Sequence, residues 1–225
     1  MFNRKQLCAL LIPLMLEQIL ASLMGMADTM MVSNVGSHAI AAVSLVDSLN
    51  IVMINLFSAM ATGGSIICSQ YIGRDDLRQA NETVRQLLLS ITAISLVIDA
   101  VCLTLRRPLL SLIFGRVEDT VMENAEVYML VTALSFPFLA MYNAGAALFR
   151  ASGNSRLPMT VSILSNIINI IGNAILIFGL KMGVLGAAIP TLLGRVFCAV
   201  VILYKLRQPH QKIIVHDYRA IRPDF

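Results

Sequence analysis

Charged residues are scarce in this sequence. Only 13% of its 225 residues are Asp, Glu, Lys or Arg, whereas a soluble domain has about a quarter. Hydrophobic residues make up 57%, and the mean hydropathy is +0.78. This composition argues against an ordinary soluble protein and indicates an integral membrane protein.

Cysteine and histidine are also sparse. The four cysteines lie apart in apolar segments without a CxxC pair, and the three histidines fall in predicted loops. This spacing argues against a disulfide framework or a metal centre. The sequence also lacks a recognisable Ser-His-Asp or Cys-His arrangement, so we do not expect a hydrolytic enzyme.

Long apolar runs follow one another along the chain. A helix of about 20 apolar residues crosses the hydrocarbon core of a bilayer, and these runs lack the alternation of a β-barrel strand. We therefore expect an all-α integral membrane protein with six transmembrane helices, at residues 7–32, 46–72, 87–105, 125–149, 158–180 and 184–206. The charged residues 73–85 are predicted to form a solvated loop with a short interfacial helix.

Basic residues predict the orientation. Most Lys and Arg fall in loops that share one side of the membrane with the amino terminus, which the positive-inside rule places in the cytoplasm. A multi-pass protein of the cell (inner) membrane with both ends cytoplasmic is expected, and residues 207–225 are predicted to be a cytoplasmic linker. The net charge of +4 is explained by topology and by contact with lipid headgroups, so no nucleic-acid partner is expected.

The first two spans contain carboxylates. Glu17 and Asp28 lie about 20° apart on one helical stripe at 100° per residue. Because a carboxylate in hydrocarbon costs on the order of 3 kcal/mol, this stripe should face protein or water. In the second span, Asp47 and Asn50 belong to a polar stripe and are the members least readily explained by hydrogen bonds between helices. For Asp47, a position at the outer membrane interface is the alternative.

The later spans add amides, a proline and an arginine. A polar face of about 100° on the fifth span consists of Ser162, Ser165, Asn166, Asn169 and Asn173. Buried amides either hydrogen-bond another helix or offer an oxygen to a hard cation beside a carboxylate. Pro137 predicts a kink in the fourth span. Arg195 is expected to extend toward the cytoplasm rather than to pair with an acid.

Seven short motifs occur in order over nearly the whole chain. They are PLMLE at 13–17, MADTMMVSNVG at 26–36, AIAAV at 39–43, SQYIGR at 69–74, FRASGNSRLP at 149–158, NIIGNAILIF at 169–178 and GVLGAAIPT at 183–191. Together they resemble the MATE (multidrug and toxic compound extrusion) transporters. The resemblance implies the amino-terminal six-helix lobe of a twelve-helix protein whose central cleft alternates its access.

The same resemblance implies a function and a site. Family members export cationic, amphiphilic or bulky compounds in exchange for sodium ions or protons, and need no further cofactor. Membrane lipids, a small substrate and a second lobe are the implied partners. In members whose amino-terminal lobe holds the cation site, that site corresponds here to Asp28, Tyr128, Asn169, Asn173 and Thr191, with sodium expected at Asp28, Asn169 and Asn173.

One departure from the family pattern concerns the coupling ion. Where those members have a second carboxylate, this chain has Asn173, which can offer an oxygen but cannot titrate. Two alternatives to an exporter also stay open. One is a flippase for lipid-linked oligosaccharides, which would need several cationic residues in the cavity to meet a pyrophosphate. The other is a truncated or half-size membrane subunit that does not transport alone.

Overall fold

The computed structural model describes residues 4–115 and 117–208, and every regular element within them is helical. The helices are α1 (Arg4–Ser33), α2 (Ser37–Gly73), α3 (Leu77–Thr104), α4 (Arg106–Phe114), α5 (Asp119–Ala133), α6 (Phe136–Ala151), α7 (Arg156–Asn173), which continues as a π-helical segment (Ala174–Gly179), and α8 (Leu185–Leu206). Five of the described spans are long and apolar enough to cross a bilayer, and α5 with α6 forms a sixth. The six-helix membrane lobe is thereby confirmed.

Several helix ends differ from the sequence prediction. Helix α2 begins at Ser37, nine residues earlier than predicted, and has 37 residues. The charged segment at 77–85 is the first part of α3 rather than a separate interfacial helix. The N-cap residue of α3 is Asp76, whose side chain accepts a hydrogen bond from the Gln79 backbone N–H at 3.1 Å. Charged side chains there do not interrupt the helix because the backbone hydrogen bonds are independent of them. Of the predicted linker, only Arg207 and Gln208 lie within the described residues.

The predicted kink in the fourth span is a complete break. Helices α5 and α6 meet at an angle of 46°, with Leu134 and Ser135 between them. Pro137 lies in the first turn of α6, where its missing N–H cannot bond the carbonyl of Ala133 in the preceding turn. At this break, Ser135 is fully buried among residues of neighbouring helices.

Small residues bring the helices together. Ala140, Ala144 and Ala147 form a buried face of α6, which packs against α2 and α8. Such small side chains allow close approach of helix backbones in a membrane. The Phe57 and Phe136 rings meet edge to face at 6.4 Å between centroids. This packing positions α2, α5 and α8 around a polar cavity whose other walls are α1 and α7.

Candidate functional site

The polar cavity has a volume of about 650 Å³. Its walls come from α1, α2, α5, α7 and α8, and its polar lining comprises Gln18, Ser22, Asp28, Asp47, Asn50, Asn55, Tyr128, Ser165, Asn166, Asn169, Thr191 and Arg195. Polar groups at membrane depth are costly unless they meet partners or water. Their concentration around one cavity is typical of a binding site for ions or polar ligands.

Asp28 is held by the amides of α7. The Asn173 amide Nδ2 donates to Asp28 Oδ1 at 2.6 Å and to Asn169 Oδ1 at 3.0 Å. The Asn169 amide nitrogen in turn donates to Thr191 Oγ1 at 3.0 Å. Four of the five predicted site residues therefore form one continuous hydrogen-bond chain across α1, α7 and α8.

The two amides differ in how fully their hydrogen-bonding groups are used. Asn173 is fully buried, and its Oδ1 atom has no hydrogen-bond partner. The Asn169 amide also fits in the reverse orientation, with its nitrogen 2.9 Å from Asp28 Oδ1 and its oxygen 3.0 Å from Thr191 Oγ1. Carboxylate, amide and hydroxyl oxygens are the ligands that hard cations prefer. The residues present therefore fit a sodium ion beside Asp28.

The fifth predicted residue, Tyr128, has a different partner. It lines the same cavity, but its hydroxyl donates to Asp47 Oδ1 at 3.3 Å. The amide of Asn50 donates to the same Asp47 oxygen at 3.1 Å. Asp47 lies well inside α2, not at its end. The cavity thus has two carboxylates, and the second comes from α2 rather than from the position of Asn173 on α7.

Arg195 lies in the cavity wall instead of extending toward a membrane surface. Its Nη1 atom donates to the Ser135 hydroxyl at 2.6 Å, which is the only hydrogen bond of Arg195 within the described residues. Ser135 in turn donates to the Thr132 carbonyl, so the break between α5 and α6 orients the guanidinium. The sequence expectation for Arg195 was wrong, because the break supplies a buried hydroxyl within its reach.

A second polar cluster joins α1 to α6. Arg150 Nη2 lies 2.9 and 2.8 Å from the two carboxylate oxygens of Glu17. The Tyr142 hydroxyl is within hydrogen-bond distance of Glu17 Oε1 at 3.2 Å and of the Pro158 carbonyl at 3.3 Å. Glu17 and Asp28 both face protein, as their common stripe predicts. Glu17 is engaged in an ion pair, whereas Asp28 has only neutral partners.

Arg150→Met is expected to lower the free energy of unfolding by about 1–3 kcal/mol, because Glu17, only 15% exposed, loses its counter-charge. Thermal unfolding of the purified protein in detergent measures this change. Arg107→Met is the matched control, since Arg107 is 70% exposed in its pair with Glu126 and should change stability by less than about 1 kcal/mol. Equal losses in the two variants would contradict a structural role for the Glu17 pair.

The sequence is similar to a family model and to curated bacterial proteins. The family model described as MatE matches residues 13–175. The uncharacterized transporter YisQ of Bacillus subtilis is 36% identical over 82% of this chain and 41% of its own length. A probable multidrug resistance protein NorM of Thermotoga maritima is 30% identical over 89% of this chain and 44% of its own length. The chain spans less than half the length of these curated relatives.

Solved transporter structures share the fold of this chain. A MOP superfamily transporter from Pyrococcus furiosus superposes with a TM-score of 0.90 at 25% identity, over 98% of this chain and 48% of that protein. An outward-facing multidrug resistance MATE family transporter superposes with a TM-score of 0.89 over the same shares. The described helices therefore correspond to about half of each of these transporters.

Proposed function

The chain belongs to the MatE family, and from this premise we propose that it forms one six-helix lobe of a secondary active exporter. The exporter would expel small amphiphilic or cationic compounds in exchange for sodium ions or protons. The observation that supports this most directly is the position of Asp28. It lines the cavity and is held by a neutral amide rather than by a fixed positive charge, so a mobile cation can compete for it.

Competition between a cation and the Asn173 amide for Asp28 suggests how the coupling ion acts. When Asp28 is ionised, the Asn173 amide satisfies it with a short hydrogen bond between α1 and α7. A sodium ion or proton at Asp28 would displace that donor, and the Asn173 amide could then turn its unpartnered oxygen toward the new charge. Binding would shift the balance between inward-open and outward-open states if the two differ in their affinity for the ion.

A second lobe is part of the proposal. Apart from Pro13 and Val32, the described side chains of α1 are at least partly exposed, including Gln18 and Ser22 on the cavity side. A polar surface exposed to lipid is unfavourable, so another set of helices should cover the cavity. The matched structures are about twice as long as this chain, which supports a second six-helix lobe. The distribution of Lys and Arg along the sequence supports a cytoplasmic position for both ends of this segment.

Gradient-driven export tests the proposal. Proteoliposomes containing the native polypeptide would be loaded with ethidium, a cationic dye, and given an inward sodium gradient or an inward proton gradient separately. One of the gradients should accelerate ethidium export several-fold over protein-free liposomes, and an ionophore for that ion should remove the acceleration. If neither gradient changes the export rate, the proposal is wrong.

The cavity favours an exporter over a flippase for lipid-linked oligosaccharides. A pyrophosphate group calls for several cationic side chains. Of the described residues that line the cavity, Arg195 is the only Lys or Arg, and the same lining contains two carboxylates, Asp28 and Asp47.

A further inference from the structure

The cavity contains an arginine that interacts electrostatically with Asp47 but has no carboxylate at ion-pair distance among the described residues. Arg195 donates to the neutral hydroxyl of Ser135, and within the described residues it makes no ion pair with Asp28 or Asp47. An arginine at membrane depth is costly and is normally paired. Its position in this cavity therefore needs an explanation beyond helix packing.

Arg150, a partly buried arginine of the same lobe, shows what a structural ion pair looks like in this chain. Arg150 contacts both oxygens of Glu17 at 2.8 and 2.9 Å. The cavity carboxylates, in contrast, receive neutral donors: Asn173 for Asp28, and Tyr128 with Asn50 for Asp47. Neither carboxylate requires Arg195 for its hydrogen bonding, so the arginine is not a partner of the carboxylates in the sense that Arg150 is of Glu17.

The geometry leaves the guanidinium available to a ligand. The Ser135 hydroxyl orients Nη1 of Arg195. The remaining N–H groups of the planar guanidinium belong to a side chain that lines the cavity. A guanidinium fork matches the two oxygens of a carboxylate. On another wall of the same cavity, Asp47 offers negative charge beside the phenol of Tyr128, which suits a cationic centre.

We propose that Arg195 binds a carboxylate of the substrate, so that among exported compounds with a cationic centre those that also carry a carboxylate are preferred over matched compounds that lack it. This inference rests on the proposed export function and narrows its substrate class. Asp28 binds the coupling ion, Asp47 faces the cationic centre of the substrate, and Arg195 faces its carboxylate. A purely cationic compound lacks the partner that would balance Arg195.

A matched pair of dyes tests the assignment. Rhodamine B has a xanthylium cation and a free carboxylate, and its ethyl ester differs only in the loss of the negative charge. Binding of both to the purified native polypeptide is measured by fluorescence anisotropy, and export is measured in proteoliposomes. The native protein should bind rhodamine B more tightly than the ester. In Arg195→Gln the affinity for rhodamine B should fall about tenfold, on the order of one charge-assisted pair, while the affinity for the ester changes less than about twofold.

Control variants separate recognition from folding. Arg195→Lys keeps the charge without the fork and should retain part of the preference for rhodamine B. Ser135→Ala removes the orienting hydroxyl but keeps the charge, and should also retain part of it. Equal loss of both dyes in Arg195→Gln would indicate a structural role and overturn the assignment. An unchanged ratio of the two affinities would overturn it too. If neither dye is bound or exported by the native protein, and ethidium is not exported either, the proposed function itself fails.

Discussion

Replacing Asp28 by asparagine is expected to remove the dependence of export on the ion gradient. The variant keeps the size of the side chain and its contact with Asn173 but cannot become negatively charged. Because Asp28 is the only carboxylate in the hydrogen-bond chain with Asn169, Asn173 and Thr191, a cation loses its only charged ligand there. We expect coupling-ion affinity to fall by at least about tenfold, which corresponds to about 1.4 kcal/mol.

The measurement is ethidium export by the native polypeptide and the variant under the coupling gradient, with ion binding followed by isothermal titration. Asp99→Asn is the matched control. Asp99 is also a buried carboxylate in a membrane helix, and its Oδ1 atom has no partner, but it does not line the polar cavity. Asp99→Asn should export at the native rate. If Asp28→Asn retained full gradient-driven export, the ion site would lie elsewhere.

Gly172→Ala is expected to destabilise the lobe and to weaken the ion site together. A Cβ atom at Gly172 would lie 2.7 and 2.8 Å from the Cβ and Cγ atoms of Pro190. The proline ring is rigid, so α7 and α8 must move apart, and overpacking of this kind costs about 1–3 kcal/mol. The same separation stretches the hydrogen bond from Asn169 to Thr191, so coupling-ion affinity should fall as well.

Gly63→Ala gives the opposite expectation and serves as the control. Gly63 is an exposed glycine within α2, and nothing lies within 4 Å of an added Cβ. Alanine there should stabilise the helix by up to about 1 kcal/mol, because glycine loses more backbone freedom on folding. Unfolding in mixed detergent micelles compares the two variants. Equal stability of Gly172→Ala and Gly63→Ala would mean that α8 adjusts without cost.

The membrane helices could be predicted from the sequence because a bilayer permits few backbone conformations. Every backbone N–H and C=O group in hydrocarbon must be paired within the protein, and an apolar run of about 20 residues does this only as a helix. The ends of the helices could not be predicted in the same way. Residues 77–85 are polar, so hydropathy does not report that they continue α3. The break at Ser135 was indicated by Pro137, because the effect of a missing N–H is local.

The polar cluster around Asp28 was partly predictable for a related reason. Asp28, Asn169 and Asn173 are polar residues in otherwise apolar membrane helices, where a polar side chain without a partner is costly. Their grouping with Thr191 followed from the family resemblance. Asp47 and Arg195 are subject to the same cost in hydrocarbon, which accounts for the position of both in the cavity lining. Arg195 was instead expected at a membrane surface because its long side chain makes that alternative available.

By itself, the sequence determined that this is a membrane protein of helices and that certain carboxylates and amides must face protein or water, since both follow from hydropathy and from spacing along one helix. Only the tertiary structure decided which partner each inward group meets. The hydroxyl of Tyr128 reaches Asp47 on α2, and the guanidinium of Arg195 reaches Ser135 at the break between α5 and α6. These contacts join residues far apart in the chain, and the distances between them depend on how the helices pack, which no single span encodes.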